Sequence, residues 1–175
     1  MCRMFAVVVN RLMYSSEFFY EDVDKNLQDR YMSRLDDLVN TFELLGDWDQ
    51  KYHYIMELGD KLPPMPAELK VDENNVRGCM SMVYVSAYPD PEDSKLIRFH
   101  GFCDSSIIRG VLAILIQLAE GKSAIQVAEL DVDELFDRLN LDEHLSPNRH
   151  VGIYAIVALM KKQAYKLAGL SRDVA

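Results

Sequence analysis

The sequence lacks any pairing of its cysteines. Cys2, Cys79 and Cys103 are scattered, odd in number and never spaced as Cys-x-x-Cys. A disulfide-stapled scaffold, a zinc ribbon and a thioredoxin-type redox pair are thereby excluded. Free thiols point to a reducing compartment, so the expected localisation is cytoplasmic. Long apolar runs are missing too. The apolar stretch at residues 4–9 is short for a signal-peptide core and has no small-residue cleavage site after it. Nothing approaches the ~20 consecutive apolar residues of a membrane span, so no membrane association is expected. Positive charge is scarce: 19 Lys and Arg stand against 28 Asp and Glu, a formal net charge of -9. Such a surface repels phosphate backbones, and no nucleic-acid partner is expected. A protein partner with a basic surface remains open.

What is present suits a globular domain. Apolar residues make up 49% and charged residues 27% of the 175 positions, enough to bury a core without staples. Residues 1–29, acidic from Glu17 onward, read as an N-terminal extension, partly disordered, ahead of one domain over 30–175. Ser33 is placed to cap a helix carrying Leu35, Leu38, Val39, Phe42 and Leu45, stopped by Gly46. Asp47 is placed to cap a second, with Trp48, Tyr52, Ile55 and Met56 on one side and its end at Gly59. Pro63, Pro64 and Pro66 forbid helix beyond it. Residues 80–88 and 96–102 read as two paired strands around a turn containing Pro89 and Pro91, and a third strand is expected in residues 68–76. Asp104 or Ser105 opens a helix apolar on most sides, from Ile107 to Leu118, closed by Gly121 and expected to be central. Short helices follow near 124–128 and 132–139. Ser146-Pro147 opens a last helix to about Leu167. Helices around a short antiparallel sheet make the class α+β.

Cys79 is the position with most chemical interest. It follows Gly78, whose backbone freedom allows a sharp turn, and it precedes a strand. A thiol at such a junction can be presented and withdrawn; the bland alternative is a buried, inert cysteine. Cys103, at a strand end, favours that inert reading, and Cys2 is terminal and without expected function. His100, Cys103 and Asp104 lie close enough in sequence to suggest metal ligands, but zinc needs about four and the rest would come from distant positions. His144 and His150 could serve a Cys–His nucleophile in principle. Arg149 stands at the start of the last helix, where the dipole favours anions, and that misfit marks it for a specific role. Met65, Met80 and Met82 read as core filler.

Four segments, in order and in register, resemble the SufE family of sulfur acceptors. They are Trp48-Asp49-Gln50-Lys51-Tyr52-His53-Tyr54-Ile55-Met56-Glu57-Leu58-Gly59 with Leu62-Pro63; Asn75-Val76-Arg77-Gly78-Cys79-Met80-Ser81-Met82-Val83-Tyr84; Asp104-Ser105-Ser106-Ile107-Ile108-Arg109-Gly110; and His144-Leu145-Ser146-Pro147-Asn148-Arg149 with Gly152. The resemblance covers about residues 33–168. It implies a SufE/IscU-like α+β fold, with the acceptor loop over an apolar hollow. It implies that Cys79 accepts a persulfide sulfur from a cysteine desulfurase of the SufS type, stimulates that enzyme, and passes the sulfur toward a SufBCD-like scaffold for iron–sulfur cluster assembly. Arg77, Gly78, Asp104 and Arg149 would support Cys79. The chain would be an accessory protein rather than a turnover enzyme. It would need no metal and no cofactor of its own, since pyridoxal phosphate belongs to the desulfurase; a homodimer is compatible with this role. Where the family usually reads Gly-Cys-Gln-Ser-Gln-Val-Trp, this chain has Met80, Met82 and Tyr84. The rival readings are an iron–sulfur or zinc scaffold using Cys79, Cys103, His100 and Asp104, and a thiol hydrolase pairing Cys79 with a histidine.

Thiolate attack needs a deprotonated sulfur, and an ordinary thiol is mostly protonated at neutral pH. Arg77 or Arg149 would favour the anion, and Asp104 would oppose it.

Overall fold

The structure is a computed structural model, which describes residues 34–169. The cap expected at Ser33, the extension over 1–29 and Cys2 lie outside the described residues. Helix α1 occupies residues 34–44 and buries Leu35, Leu38 and Phe42, the stripe that a 3.6-residue period predicts. Asp47 caps α2 (Trp48–Asp60), accepting a hydrogen bond from the Gln50 amide at 2.9 Å. The helix ends at Asp60, one residue beyond the expected stop, and Gly59 in its last turn is buried for a packing reason given below.

Beyond the prolines, the strand expected in residues 68–76 is absent. Two 3-10 turns, Ala67–Leu69 and Asp72–Asn74, stand there instead. The Asn74 side chain bonds back to the Leu69 carbonyl at 2.8 Å, the local competition by which Asn and Asp draw backbone out of sheets. A bridge between Asn75 and Tyr84, with the Val76 amide on the Val83 carbonyl, ties the backbone of this segment to the sheet, and the Lys70 ammonium lies over the Phe102 ring at 3.6 Å.

Strands β1 (Val83–Pro89) and β2 (Leu96–Cys103) pair antiparallel as expected, although β1 starts three residues later than the apolar run suggested. Asp90 shapes the turn between them, accepting from the Glu92 amide at 2.8 Å and from Arg98 Nε at 2.5 Å. The Arg98 guanidinium holds its carboxyl below the usual range. The third strand, β3 (Lys122–Ser123), pairs with Leu96 and Ile97 of β2. Two residues are too few for periodicity to reveal. Burial alternates strictly along β2: Ile97, Phe99, Gly101 and Cys103 face inward, while Leu96, Arg98, His100 and Phe102 face outward.

Helix α3 (Ser106–Ala119) packs against the inner face of β2 and is buried along most of its length. Gly101 makes room for it, since a β carbon there would lie 2.7 Å from Ile116 Cδ1 and 2.9 Å from Leu112 Cδ2. The crossing of α2 with α3 is tighter still. A β carbon on Gly110 would come within 2.0 Å of the Ile55 carbonyl oxygen, and one on Gly59 within 2.7 Å of the Gly110 nitrogen. Two short helices follow, α4 (Ala124–Ala128) and α5 (Val132–Leu139). Helix α6 (Pro147–Leu167) then runs beside β1 and α4. Its Gln163 serves the edge of β1, accepting from the Ala87 amide and donating to the Val85 carbonyl, each at 2.9 Å. A side-chain amide thus adds to the edge pairing of β1 that the Asn75–Tyr84 bridge begins. The fold is α+β, with a three-stranded antiparallel sheet and helices.

The helix crossing sets a strong expectation. Gly110→Ala should lower stability by about 3 kcal/mol, the upper end for overpacking, because the new methyl meets backbone rather than a flexible side chain. Gly46→Ala, where a β carbon meets nothing within 4 Å, should change it by less than ~0.5 kcal/mol. Urea unfolding of the two variants checks the contrast.

Candidate functional site around Cys79

Cys79 sits on the loop between Val76 and β1. Gly78 turns that loop with φ +92°, a left-handed conformation that side chains rarely adopt. The turn sends the Cys79 side chain inward, half-buried, against the buried Gly152 of α6. Beside it lies a hollow of about 400 Å³. Cys79, Met80 and Ser81 line one side; Ser105 and Ile108 come from the start of α3; Ser146, Asn148 and Arg149 come from the start of α6.

Two helix N-termini therefore meet at this hollow. Ser105 and Ser146 are the N-cap residues of α3 and α6, and neither side chain makes a capping hydrogen bond. The first turns of both helices carry partial positive charge, although at the start of α6 Pro147 has no amide hydrogen and the Arg149 amide donates to the Ser146 carbonyl at 2.9 Å. Arg149 adds a full charge and takes part in no ion pair among the described residues. The sum is a small electropositive recess on a chain of net charge -9, suited to an anionic sulfur.

The other sequence-selected residues divide. Asp104 is not in the hollow. Its carboxylate accepts from the Met82 amide at 3.0 Å while its own amide donates to the Met82 carbonyl at 3.3 Å, so it clasps the far end of the Cys79 loop to the end of β2. Arg77 turns away: it is 77% exposed and paired with Asp72 at 2.5 Å. Met65 is core, at 6% exposure, but Met80 and Met82 are not, at 83% and 53%. The loop geometry that seats Cys79 leaves its methionine neighbours facing solvent. Gly152, Ser105, Ile108, Ser146 and Asn148 were not expected as site residues, although Ser105 and Ser146 were expected to start the two helices. They all lie inside the segments that flank the two helix starts, which was the only available signal.

His100 and Cys103, three apart on a strand, point to opposite faces of β2. His100 stacks on Tyr88 with ring centroids 4.4 Å apart, while Cys103 is fully buried. Among the described residues no three His, Cys, Asp or Glu side chains converge as a metal site would require. His144 stacks on Trp48 at 3.6 Å and His150 packs by Phe136 at 4.9 Å. Neither lines the hollow, so no Cys–His pair is assembled there. Burial pushes the Cys103 thiol up to about 11, with a backbone hydrogen bond at Ser105 opposing and the negative charge of Asp104 adding to the rise.

A family model, SufE, described as an Fe-S metabolism associated domain, matches residues 36–164. An uncharacterized SufE-like protein of Rhizobium meliloti is 36% identical over 135 residues, covering 76% of this chain and 96% of its own length. One from Rhizobium etli is 36% identical over 136 residues, covering 77% and 91%. The solution structure of a hypothetical protein from Thermus thermophilus superposes with a TM-score of 0.63 at 19% identity, over 78% of this chain and 96% of that one, a likeness of fold.

The buried thiol predicts a pH dependence. Above the ordinary thiol range, near 9, the unfolded chain releases the Cys103 proton that the folded chain keeps until about 11. The unfolded state then binds fewer protons, so stability falls as pH rises through that window, by up to ~1.4 kcal/mol per pH unit. Urea midpoints taken from pH 8 to pH 11 should show the decline in the wild type. Cys103→Ala should lack that component.

Proposed function

The chain belongs to the SufE family of Fe-S metabolism associated domains, and from that membership we propose that it is a sulfur carrier whose acceptor is Cys79. The observation that carries the reading is the seating of Cys79: a thiol on a glycine-turned loop, half-buried at an electropositive hollow built by Arg149 and the starts of α3 and α6. A thiol kept merely as core filler would not need such a rim, and fully buried Cys103 supplies the contrast.

In the proposed reaction the Cys79 thiolate attacks the outer sulfur of a persulfide on a cysteine desulfurase. A new sulfur–sulfur bond forms on Cys79, the old one breaks, and the desulfurase cysteine leaves as a thiolate. No oxidant or reductant is consumed. The chain is then an accessory protein that relieves the desulfurase of its product and stimulates its turnover. The desulfurase, of the SufS type, brings the pyridoxal phosphate, and this chain uses no cofactor or resident metal. The sulfur passes on to a SufBCD-like scaffold, in the cytoplasm. The carrier domain spans residues 30–175, as a monomer or a homodimer.

Each residue has a distinct part. Gly78 gives the loop its turn and Asp104 anchors its far end. Arg149, with the two helix ends, favours the anionic forms of the sulfur during exchange. Arg77, already paired with Asp72 at the surface, acts only where a partner meets the loop. Exposed Met80 and Met82 supply an adaptable apolar contact for that partner.

Mass spectrometry after incubation with a cysteine desulfurase and cysteine should show one added sulfur on Cys79, none on Cys79→Ser, and near-normal loading of Cys103→Ser. Equal loading of the wild type and Cys79→Ser would overturn the assignment. Arg149→Ala should slow loading about tenfold, ~1.4 kcal/mol in the barrier, with less than ~0.5 kcal/mol change in urea stability. A large fall in stability, with loading per folded molecule unchanged, would make Arg149 structural instead.

A further inference from the structure

Helix α6 contains a glycine that its own backbone does not require. Gly152 lies in the second turn, buried, and is not among the residues with positive φ. A glycine at such a position weakens a helix relative to alanine. The reason lies across the contact. A β carbon on Gly152 would meet Cys79 Sγ at 2.8 Å, and its next nearest neighbours, at 3.6 and 3.8 Å, are again atoms of Cys79. The glycines at the α2–α3 crossing admit backbone; the missing methyl of Gly152 admits a sulfur atom.

We propose that Gly152 is a positioning residue: it forms the seat that holds the Cys79 sulfur in its sheltered place beside the hollow and so sets how readily that sulfur is exposed. This rests on reading Cys79 as the sulfur acceptor. A side chain at position 152 and a seated sulfur exclude one another, because 2.8 Å is closer than a β carbon and a sulfur approach. One partner has to move. Gly152 is fixed in a 21-residue helix that packs on β1 and α4. Cys79 is on a loop whose neighbours Gly78 and Met80 are exposed, and a β carbon on Gly78 would meet nothing within 4 Å. The loop therefore gives way, and the sulfur moves toward solvent. Seated, the sulfur is covered on one side by α6, and a second sulfur bonded to it at about 2.05 Å extends along the hollow past Ile108 and Arg149. Unseated, the same persulfide meets water and soluble thiols directly.

The test uses Gly152→Ala in the full chain. In the isolated protein at pH 8, iodoacetamide should alkylate Cys79 about tenfold faster than in the wild type, as the sheltered state loses population, with the site read by peptide mass spectrometry. Protein loaded chemically with polysulfide should lose its outer sulfur to dithiothreitol faster by a similar factor. A merely structural methyl clash is separated by the double variant. In a Cys79→Ala background the remaining contact is an ordinary 3.6 Å one, so Gly152→Ala should leave the urea midpoint level or raise it, whatever it does beside the intact cysteine. Alkylation of Cys79 at the wild-type rate overturns the proposal. So does a Gly152→Ala chain that fails to fold equally with and without the Cys79 sulfur. Neither readout uses a desulfurase. A chain that no desulfurase loads would sink the carrier reading and leave the seat intact, and the reverse outcome is equally distinct.

Discussion

The approach of α3 to its neighbours is the constraint on which the rest of the structure depends. A helix whose surface is nearly all apolar has to be covered on several sides, and here it is covered at distances that β carbons would forbid. Gly110 lets the Ile55 carbonyl of α2 come into contact, and Gly101 lets Leu112 and Ile116 settle onto β2. Once those contacts are made, α3 has one position and one direction. Its first turn then emerges at the end of β2, where Asp104 holds the Met82 backbone. The start of β1, and with it the Cys79 loop, is fixed by that clasp rather than by any bond made by the cysteine itself.

The same geometry resolves an electrostatic conflict. A chain with nine more acidic than basic residues should discourage an anion from approaching. The starts of α3 and α6 converge on one hollow, each with its N-cap serine uncommitted, and Arg149 stands at its wall. Fields from helix ends act over a turn or so. They can therefore favour an anionic sulfur inside the recess while the surrounding surface stays acidic. Cys103 stands elsewhere, and burial governs it. It ends strand β2, fully buried, and its proton is held to about 11. The two described thiols thus differ in placement, one fully buried at a strand end and one half-buried on a loop, where Gly152 receives it against α6.

Much of this was legible in the residues. Helical stripes, the Asp47 cap, the paired strands and the Pro147 helix start are local features, set by side-chain period and backbone chemistry within a few positions. So is the turn at Gly78, and so are the four segments that place the chain in its family. Local reasoning went astray where a long-range partner decided the outcome. Residues 68–76 looked able to extend the sheet, but they fold into two 3-10 turns with the Asn74 side chain on the Leu69 carbonyl, and a two-residue strand after α3 took the third place. Gly59 stands next to the helix end, as expected, but its contact with Gly110 of α3 was not legible. Met80 and Met82 looked like core and face solvent, since strand β1 begins only at Val83.

Residue type and spacing were enough to read the α+β class, the thiol worth attention and the segments that surround it. Which of the candidate residues share a site came from long-range packing. Arg149 reaches the hollow and Arg77 does not; His100 and Cys103 part to opposite faces of one strand; Gly152, distant in sequence from Cys79, touches its sulfur. Those outcomes follow from the packing of α3 and α6 against the sheet, and packing depends on the shapes of residues far apart in the chain, which no local pattern records.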